Sequence, residues 1–244
     1  MKIRKLVLNM TPNIQMSDVS VDCVVFGFDD SQLKVLLIEQ EKAPGSSVDE
    51  KRYALPGDLV FLSEGLDNAA RRVLNELTSL ENVYLEQFHT FGDPDRVSGL
   101  KDVEWLRNFR KNPDTRVITT GYYSLVKMED YNPKAASFAS DIAWWDVNDL
   151  PELAFDHNHI LTRGHNALRE KFRHHHIGFE LLPKKFTLSQ LQELNEIVLG
   201  EKLDKRNFRR KITKLKAIVP LDEKQKGVLH KPAQLFEYDV NLEV

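Results

Sequence analysis

The chain has 244 residues, 41% of them hydrophobic, and a formal net charge of −3, which is enough for one large domain or two ordinary ones. No stretch reaches the roughly 18 apolar residues of a membrane span, and the start MKIRKLVLNMTPNIQMSD is mixed in character, so neither membrane insertion nor export is expected. The single cysteine, Cys23, excludes an intramolecular disulfide. Its place in the apolar run VDCVVFGF predicts a buried structural thiol in a reducing cytoplasm.

Two apolar runs near the start predict a pair of strands. VDCVVFGF (21–28) and LKVLLI (33–38) are separated by DDSQ, which is typical of a hairpin of buried strands. The alternative, a short buried helix, is disfavoured by the valine content and the length. The next segment, EKAPGSSVDEKR (41–52), is polar and contains Pro and Gly, which predicts a loop.

An amphipathic helix is predicted over LDNAARRVLNEL (66–77). Ala69, Val73 and Leu77 fall on one row at intervals of four residues, and Asp67 lies near the helix start.

The middle of the chain alternates between strands and a helix. Strands are predicted at VYLEQFHTF (83–91), VITTGYYSLVKM (117–128) and DIAWWDV (141–147). The first two flank an insertion, 99–115, which we interpret as a loop, and ILTRGHNALREKF (160–172) predicts a helix. Strands around a helix, followed by a helical tail, predict an α/β or α+β domain with a second domain appended.

The charge is unevenly distributed. Between Pro183 and Lys231 there are 13 Lys or Arg and 6 Asp or Glu, so this segment carries +7 and the rest of the chain −10. A compact basic module is typical of a nucleic-acid-binding domain, and a merely solvated basic surface is the alternative.

The basic segment has the pattern of a helix-turn-helix. TLSQLQELNEIVLG (187–200) places Thr187 three residues before Gln190, the spacing of a capping box, and ends on Gly200, a natural C-cap. Three residues later, DKRNFRRKITKLK (204–216) predicts a second helix with its first residue as the N-cap. The two apolar runs that follow, around a Lys-rich tip, predict a β-hairpin wing.

The segment 57–80 resembles the Nudix box, whose pattern is Gly, five residues, Glu, seven residues, then Arg-Glu-apolar-x-Glu-Glu-x-Gly-apolar. Glu64 matches the first Glu, Arg72 the Arg, and Glu76 one member of the Glu pair.

The departures from this pattern fall at its chemistry. The first Gly is Asp58, and the Glu positions one turn apart, which would converge on one Mg²⁺, are Val73 and Leu77. We therefore expect no catalytic residue, no metal and no cofactor, and a pocket that binds without hydrolysis. The alternative is a Nudix hydrolase of nucleoside diphosphate derivatives with ligands from other loops.

The resemblance extends to about residues 20–240. Segments 84–96, 116–126, 149–161 and 178–212 resemble the Nudix-related transcriptional regulators, bacterial repressors that join a Nudix-like effector domain to a C-terminal winged helix. The resemblance implies an α+β fold with an N-terminal Nudix-like α/β/α sandwich at 1–157, a linker helix and junction at 158–182, and a winged helix-turn-helix domain at 183–244.

The family contains sensors of ADP-ribose, which regulate NAD metabolism, and a branch with degenerate boxes that senses L-arabinose. The degenerate helix places this chain nearer the sugar branch, so a pentose is the expected effector, with ADP-ribose sensing as the alternative. The candidate effector contacts lie in motif-like loops or strand ends: Asp58, His89, Asp93, Arg96, Tyr122, Asp156 and His157. HHH at 174–176 has no spaced partner cluster, and we interpret it as a solvated junction rather than a metal site.

Contact with double-stranded DNA is expected from the second helix and the wing. The candidate residues are Lys205, Arg206, Asn207, Arg209, Arg210 and Lys214, with Lys224, Lys226 and Lys231 in the wing. One such module binds weakly, so we expect a homodimer on a palindromic operator, with binding that weakens steeply as salt increases.

Overall fold

The computed structural model describes residues 16–29, 31–42, 51–110, 112–174, 178–229 and 231–242. They fall into two compact units, one with Leu33–Ala167 and the strand before it, the other with Leu168–Val244. The division falls inside a helix, and the domain boundaries given above stay predictions. Within the described ranges, no helix is both long and apolar enough to span a membrane.

The first unit contains a mixed seven-stranded sheet. Its strands are β1 (Met16–Phe28), β2 (Leu33–Gln40), β3 (Tyr53–Ala54), β4 (Gly57–Phe61), β5 (Glu86–Phe91), β6 (Ile118–Lys127) and β7 (Ala139–Asp146). Along one edge of β1, β6 runs parallel to it. Along the other edge, β4 pairs with the first half of β1 and β2 with the second, both antiparallel. β1 therefore changes partner just after Asp22, and the sheet splits there.

Two helices, α1 (Leu66–Thr78) and α2 (Leu100–Phe109), lie in the first unit, and a third, α3 (His157–His174), begins there and continues into the second. α1 confirms the predicted amphipathic helix, because Ala69, Ala70, Val73, Leu74 and Leu77 are all buried in the core that it forms with β1 and β4.

Some elements differ from the expectations. The insertion interpreted as a loop contains α2, which forms because Trp105 and Leu106 are buried on one side of it. β4 lies in the Nudix-like segment and was not predicted from the sequence. Most of the predicted loop 41–52 and the last two histidines of HHH lie outside the described residues.

The predicted burial of Cys23 is confirmed. Its side chain is fully buried, Sγ lies 3.7 Å from the carbonyl oxygen of Ala70, and burial raises the pKa of the thiol.

The second unit confirms the helix-turn-helix and the wing. Its elements are α4 (Leu188–Leu199), α5 (Lys205–Ile212), β8 (Ile218–Lys224) and β9 (Gln234–Tyr238), with β8 and β9 antiparallel. Both hydrogen bonds of the predicted capping box at Thr187 are present, and Gly200 ends α4 in the left-handed conformation with φ of 69°.

The second helix is shorter than predicted. Asp204 caps α5 by accepting a 2.8 Å bond from the Asn207 amide, as expected. The helix ends at Ile212 rather than 216, and Leu215 donates its amide to the Ile212 carbonyl in a tighter turn that leads into β8.

Candidate functional site

A small cavity of about 40 Å³ lies where β1 changes partner, because two diverging strands leave a gap in the sheet. Polar side chains and aromatic rings share its wall. The polar members are Ser20, Asp22, Gln40, Asp58, Arg96, Arg110 and His157, and the rings are Trp105, Phe109, Phe138 and Phe155.

Asp22 is the centre of a buried polar cluster beside this cavity. Thr119 donates its hydroxyl to Oδ2 at 2.6 Å, His157 Nε2 lies 3.4 Å from Oδ1, and Arg96 Nη2 lies 3.6 Å from Oδ2. A Cβ at Gly57 would lie 1.8 Å from Asp22 Oδ1, so glycine is required opposite this carboxylate. Sequence reasoning missed Asp22, although a lone acid inside the apolar run VDCVV was a usable signal.

His157 begins α3 and is held as a neutral ring. Its Nδ1 accepts the Leu55 amide at 2.9 Å, which leaves the ring proton on Nε2, facing Asp22. Burial lowers the pKa of His157 below its usual value, although the neighbouring carboxylate of Asp22 acts in the opposite direction.

The structure places the seven candidate effector residues unequally. Asp58, Arg96 and His157 line the small cavity. Asp156 stands behind Arg96 and binds its guanidinium through two hydrogen bonds, of 3.0 and 2.7 Å.

The other three candidates lie away from the cavity. Tyr122 is buried in the core, where its hydroxyl donates to Asp67 at 2.7 Å, because β6 turns this side chain toward α1. Burial and this hydrogen bond raise the pKa of Tyr122. His89 is exposed on β5, and Asp93 is exposed in the turn after it. These roles stay predictions that the geometry does not favour.

A larger cavity of about 500 Å³ adjoins the small one through the shared residues Gln40, Trp105 and Phe155. One wall comes from α2, within the insertion. Charged side chains of both signs border it, including Lys42, Arg52, Asp102 and Glu152. Trp105 belongs to this wall, and its spacing from Phe109, one helical turn on, was the signal in the sequence for the helix that carries it.

The helix of the Nudix-like segment does not fit a Mg²⁺ ion. Val73 and Leu77 are buried in the core and border neither cavity. Arg72 binds both remaining acids: Glu64 through two nitrogens, at 2.6 and 2.9 Å, and Glu76 at 3.0 Å. In the described part of the chain, no group of three or more His, Cys, Asp or Glu could hold a metal.

The candidate DNA-binding residues form an exposed basic surface. All nine are exposed: Lys205, Arg206, Asn207, Arg209 and Arg210 on α5, Lys214 just beyond it, and Lys224, Lys226 and Lys231 on the wing. The opposite face of α5 packs into the core of the second unit through Phe208 and Ile212, which fixes the direction of the basic face. The nine contacts themselves stay predictions.

Two known families match the chain, the NUDIX domain over residues 16–163 and the NrtR DNA-binding winged helix domain over residues 178–238. They define a class of regulators that join a Nudix domain to a winged helix, and they confirm the α+β fold expected from the sequence.

An Acinetobacter baylyi protein, described as an ADPR responsive transcriptional repressor NtrR, is 30% identical over 233 residues, which cover 91% of this chain and 84% of that protein. The chain belongs to the NrtR family of transcriptional repressors.

Two further comparisons support the Nudix domain and the two-domain fold. An ADP-ribose pyrophosphatase from Methanocaldococcus jannaschii is 27% identical over 143 residues, 59% of this chain and 70% of that one. Crystal structures of Shewanella oneidensis NrtR, alone and complexed with a 27mer DNA, have TM-scores of 0.64 with 25% and 24% identity. They cover 91% and 93% of this chain, and 94% and 96% of their own chains are matched.

The expected sugar effector is not supported. The similar repressor is described as responsive to ADPR, and neither of the two relatives is a sugar regulator. Val73 and Leu77 in place of the box acids mark the loss of a metal site, and this loss carries no information about a pentose.

Proposed function

We propose that this protein is a transcriptional repressor whose affinity for its operator depends on ADP-ribose bound in the first unit. The observation that carries the proposal is the 30% identity with the ADPR responsive repressor, which extends over 91% of the chain and so includes both units. Action on DNA agrees with the cytoplasmic location expected from the sequence.

The two adjoining cavities support an effector of this size. Small-molecule sites commonly have volumes of about 300 to 1,000 Å³, and the larger cavity has about 500 Å³. Arg52 borders the larger cavity and Arg110 the smaller one, so positive charge lies near both, which favours a diphosphate. In the smaller cavity Asp58 offers a carboxylate that accepts hydrogen bonds from ribose hydroxyls.

The basic surface supports DNA as the partner. Arg side chains pair bidentately with guanine and Asn with adenine in the major groove, and these types occupy the N-terminal half of α5. The wing lysines reach phosphates or the minor groove. A homodimer on a palindrome supplies the second half-site that a single module lacks.

The test is a measurement of coupling between the two ligands. Fluorescence anisotropy with a labelled duplex from upstream of the protein's own gene gives the operator Kd with and without ADP-ribose, and L-arabinose is the control. We expect ADP-ribose to change this Kd by about 5- to 150-fold, and the operator to change the Kd for ADP-ribose by the same factor. L-arabinose leaves the operator Kd unchanged.

Either of two results contradicts this proposal. If the protein shows no salt-sensitive binding to the upstream DNA, it is not a repressor of its own gene's promoter region. If ADP-ribose leaves the operator Kd unchanged, ADP-ribose is not the effector.

Hydrolysis of ADP-ribose is the second candidate, because the chain is 27% identical to an ADP-ribose pyrophosphatase over 143 residues. Against it, Val73 and Leu77 occupy two carboxylate positions of the box, and Arg72 engages both remaining acids. We expect no release of AMP from ADP-ribose with Mg²⁺ or Mn²⁺. Turnover that Glu76→Gln abolishes would show that the protein is an enzyme.

A further inference from the structure

Phe155 has a backbone conformation that bulky residues rarely adopt. Its φ is +58°, in the left-handed region, where a non-glycine residue is kept only by surrounding contacts. Asp102 provides one of these contacts, because its Oδ1 accepts the Phe155 amide at 3.1 Å. The same oxygen accepts Arg52 Nη2 at 2.6 Å. Asp102 thus joins α2, the segment before α3 and the residue that precedes β3.

This conformation places the Phe155 ring at the border of both cavities. The ring centroid lies 6.0 Å from that of Trp105, with the planes at 76°. The Arg52 guanidinium carbon lies 5.7 Å from the Phe155 centroid. The His157 ring is a further neighbour, with centroids 5.2 Å apart and planes at 51°. Because Phe155 also lines both cavities, part of its aromatic surface faces them.

The insertion helix holds this wall in place. Trp105 donates Nε1 to the Glu41 carbonyl at 3.0 Å, and it stacks on Phe109 with centroids 4.3 Å apart. At the start of α2, a Cβ on Gly99 would lie 2.5 Å from Asp102 Oδ2, so glycine gives this carboxylate its room.

Aromatic surface beside guanidinium groups is the chemistry that binds nucleobases, which stack on both. We propose that a purine base of the ligand stacks on Phe155 at the border of the two cavities, with Asp102 as the positioning residue. This inference rests on the proposed function in naming ADP-ribose as the source of the base. It adds the subsite, and it assigns a role to the insertion.

The experiment is calorimetric titration of the full-length protein with three probes: ADP-ribose, AMP and ribose 5-phosphate. Phe155→Leu keeps apolar volume and removes the π face. Phe155→Tyr keeps the face, Asp102→Asn weakens the hold on Phe155, and Phe91→Leu is a control at a buried ring that borders neither cavity. Thermal unfolding of each variant checks that it is folded.

We expect Phe155→Leu to weaken ADP-ribose binding by about 5- to 150-fold, the range measured for loss of one base stack, and to weaken AMP in the same direction. Asp102→Asn shows a smaller loss for the same two probes. The affinity for ribose 5-phosphate, which has no base, is the same in every variant as in the wild type. Phe155→Tyr and Phe91→Leu bind ADP-ribose within threefold of the wild type.

The outcomes separate the inference from the proposed function. The stacking role alone is overturned if Phe155→Leu binds ADP-ribose as well as the wild type does. It is also overturned if Phe155→Tyr loses as much ADP-ribose affinity as Phe155→Leu. Phe155-dependent binding of AMP without binding of ADP-ribose overturns the effector and supports the subsite. A wild-type protein that binds neither nucleotide overturns both.

Discussion

Arg96 and Asp156, 60 residues apart in the sequence, bind each other through two hydrogen bonds, from Nε at 3.0 Å and from Nη2 at 2.7 Å. Both are candidates for effector contact in the sequence, but the guanidinium is 4% exposed and already paired. In this structure the pair joins the loop after β5 to the segment that leads into α3.

Removing one member of this pair is expected to destabilise the first unit strongly. Asp156→Asn removes the charge that neutralises a buried guanidinium and leaves one amide oxygen as acceptor besides the weaker contact to Asp22, and breaking a buried pair costs about 3 to 5 kcal/mol. Urea unfolding followed by tryptophan fluorescence measures this, because Trp105, Trp144 and Trp145 all lie in the first unit. The exposed control Asp114→Asn should change the free energy of unfolding by less than about 0.5 kcal/mol. Equal effects of the two variants would mean that the pair contributes little.

Restoring the missing box acids should unfold the protein rather than create a hydrolase. Val73 and Leu77 are 0% and 1% exposed, so Val73→Glu with Leu77→Glu places two carboxylates in an apolar core, at a cost of several kcal/mol each. Asn68→Glu, on the exposed face of the same helix, adds one carboxylate at the surface and should leave the fold intact. A folded double variant with ADP-ribose hydrolysis would show that this helix tolerates the metal site after all.

The parts of the fold that follow from the sequence are those fixed by local chemistry. The capping box at Thr187, the C-cap at Gly200 and the buried row of α1 depend on residues within one or two helical turns. Asp22 could not be placed in this way, because its partners Thr119 and His157 meet it only where β1 changes neighbour. The left-handed conformation of Phe155 could not be predicted from its neighbours in sequence, because its amide is bound by Asp102, which lies in the insertion 53 residues earlier.

Glu196 should make the second unit sensitive to acid. It accepts hydrogen bonds from Gln192 at 2.8 Å, Lys202 at 2.7 Å and the Leu203 amide at 3.1 Å, and the bond from Lys202 is the main cause that lowers its pKa from 4.5 to about 2. Because the folded pKa is the lower one, the stabilisation is complete above pH 4.5 and is lost as the pH falls toward 2.

Glu196→Gln imitates the protonated side chain, so it should cost about 1 to 2 kcal/mol at pH 7 and progressively less below pH 4.5. Hydrogen exchange at the Leu203 amide and at core amides of this unit reports the difference. A difference that stays constant down to pH 3 would show that the carboxylate charge does not matter here.

The helix and the wing should differ in what they contribute to DNA binding. Arg206→Ala, on α5, should relax base preference and cost about 1 to 3 kcal/mol, because a guanidinium at that face is suited to guanine. Lys226→Ala, on the wing, should weaken all sequences about equally and reduce the salt slope by about 1.

Anisotropy titrations over a range of salt concentrations, with operator and scrambled duplexes, separate these two effects. Lys184→Ala, an exposed lysine outside both elements, is the control. Equal loss on both duplexes for Arg206→Ala would reduce α5 to a phosphate-binding helix.

Because Cys23 is buried, the native protein does not react with thiol reagents. The chain has no other cysteine, and this one is enclosed beneath α1 with its pKa raised, so the folded state offers almost no thiolate. A cysteine introduced on the exposed wing can therefore carry a single fluorophore without removal of the natural one. In the unlabelled protein, a thiol reagent modifies Cys23 only when the first unit unfolds locally and exposes it. The rate of modification with and without the effector therefore measures how much ligand binding stabilises that unit against unfolding.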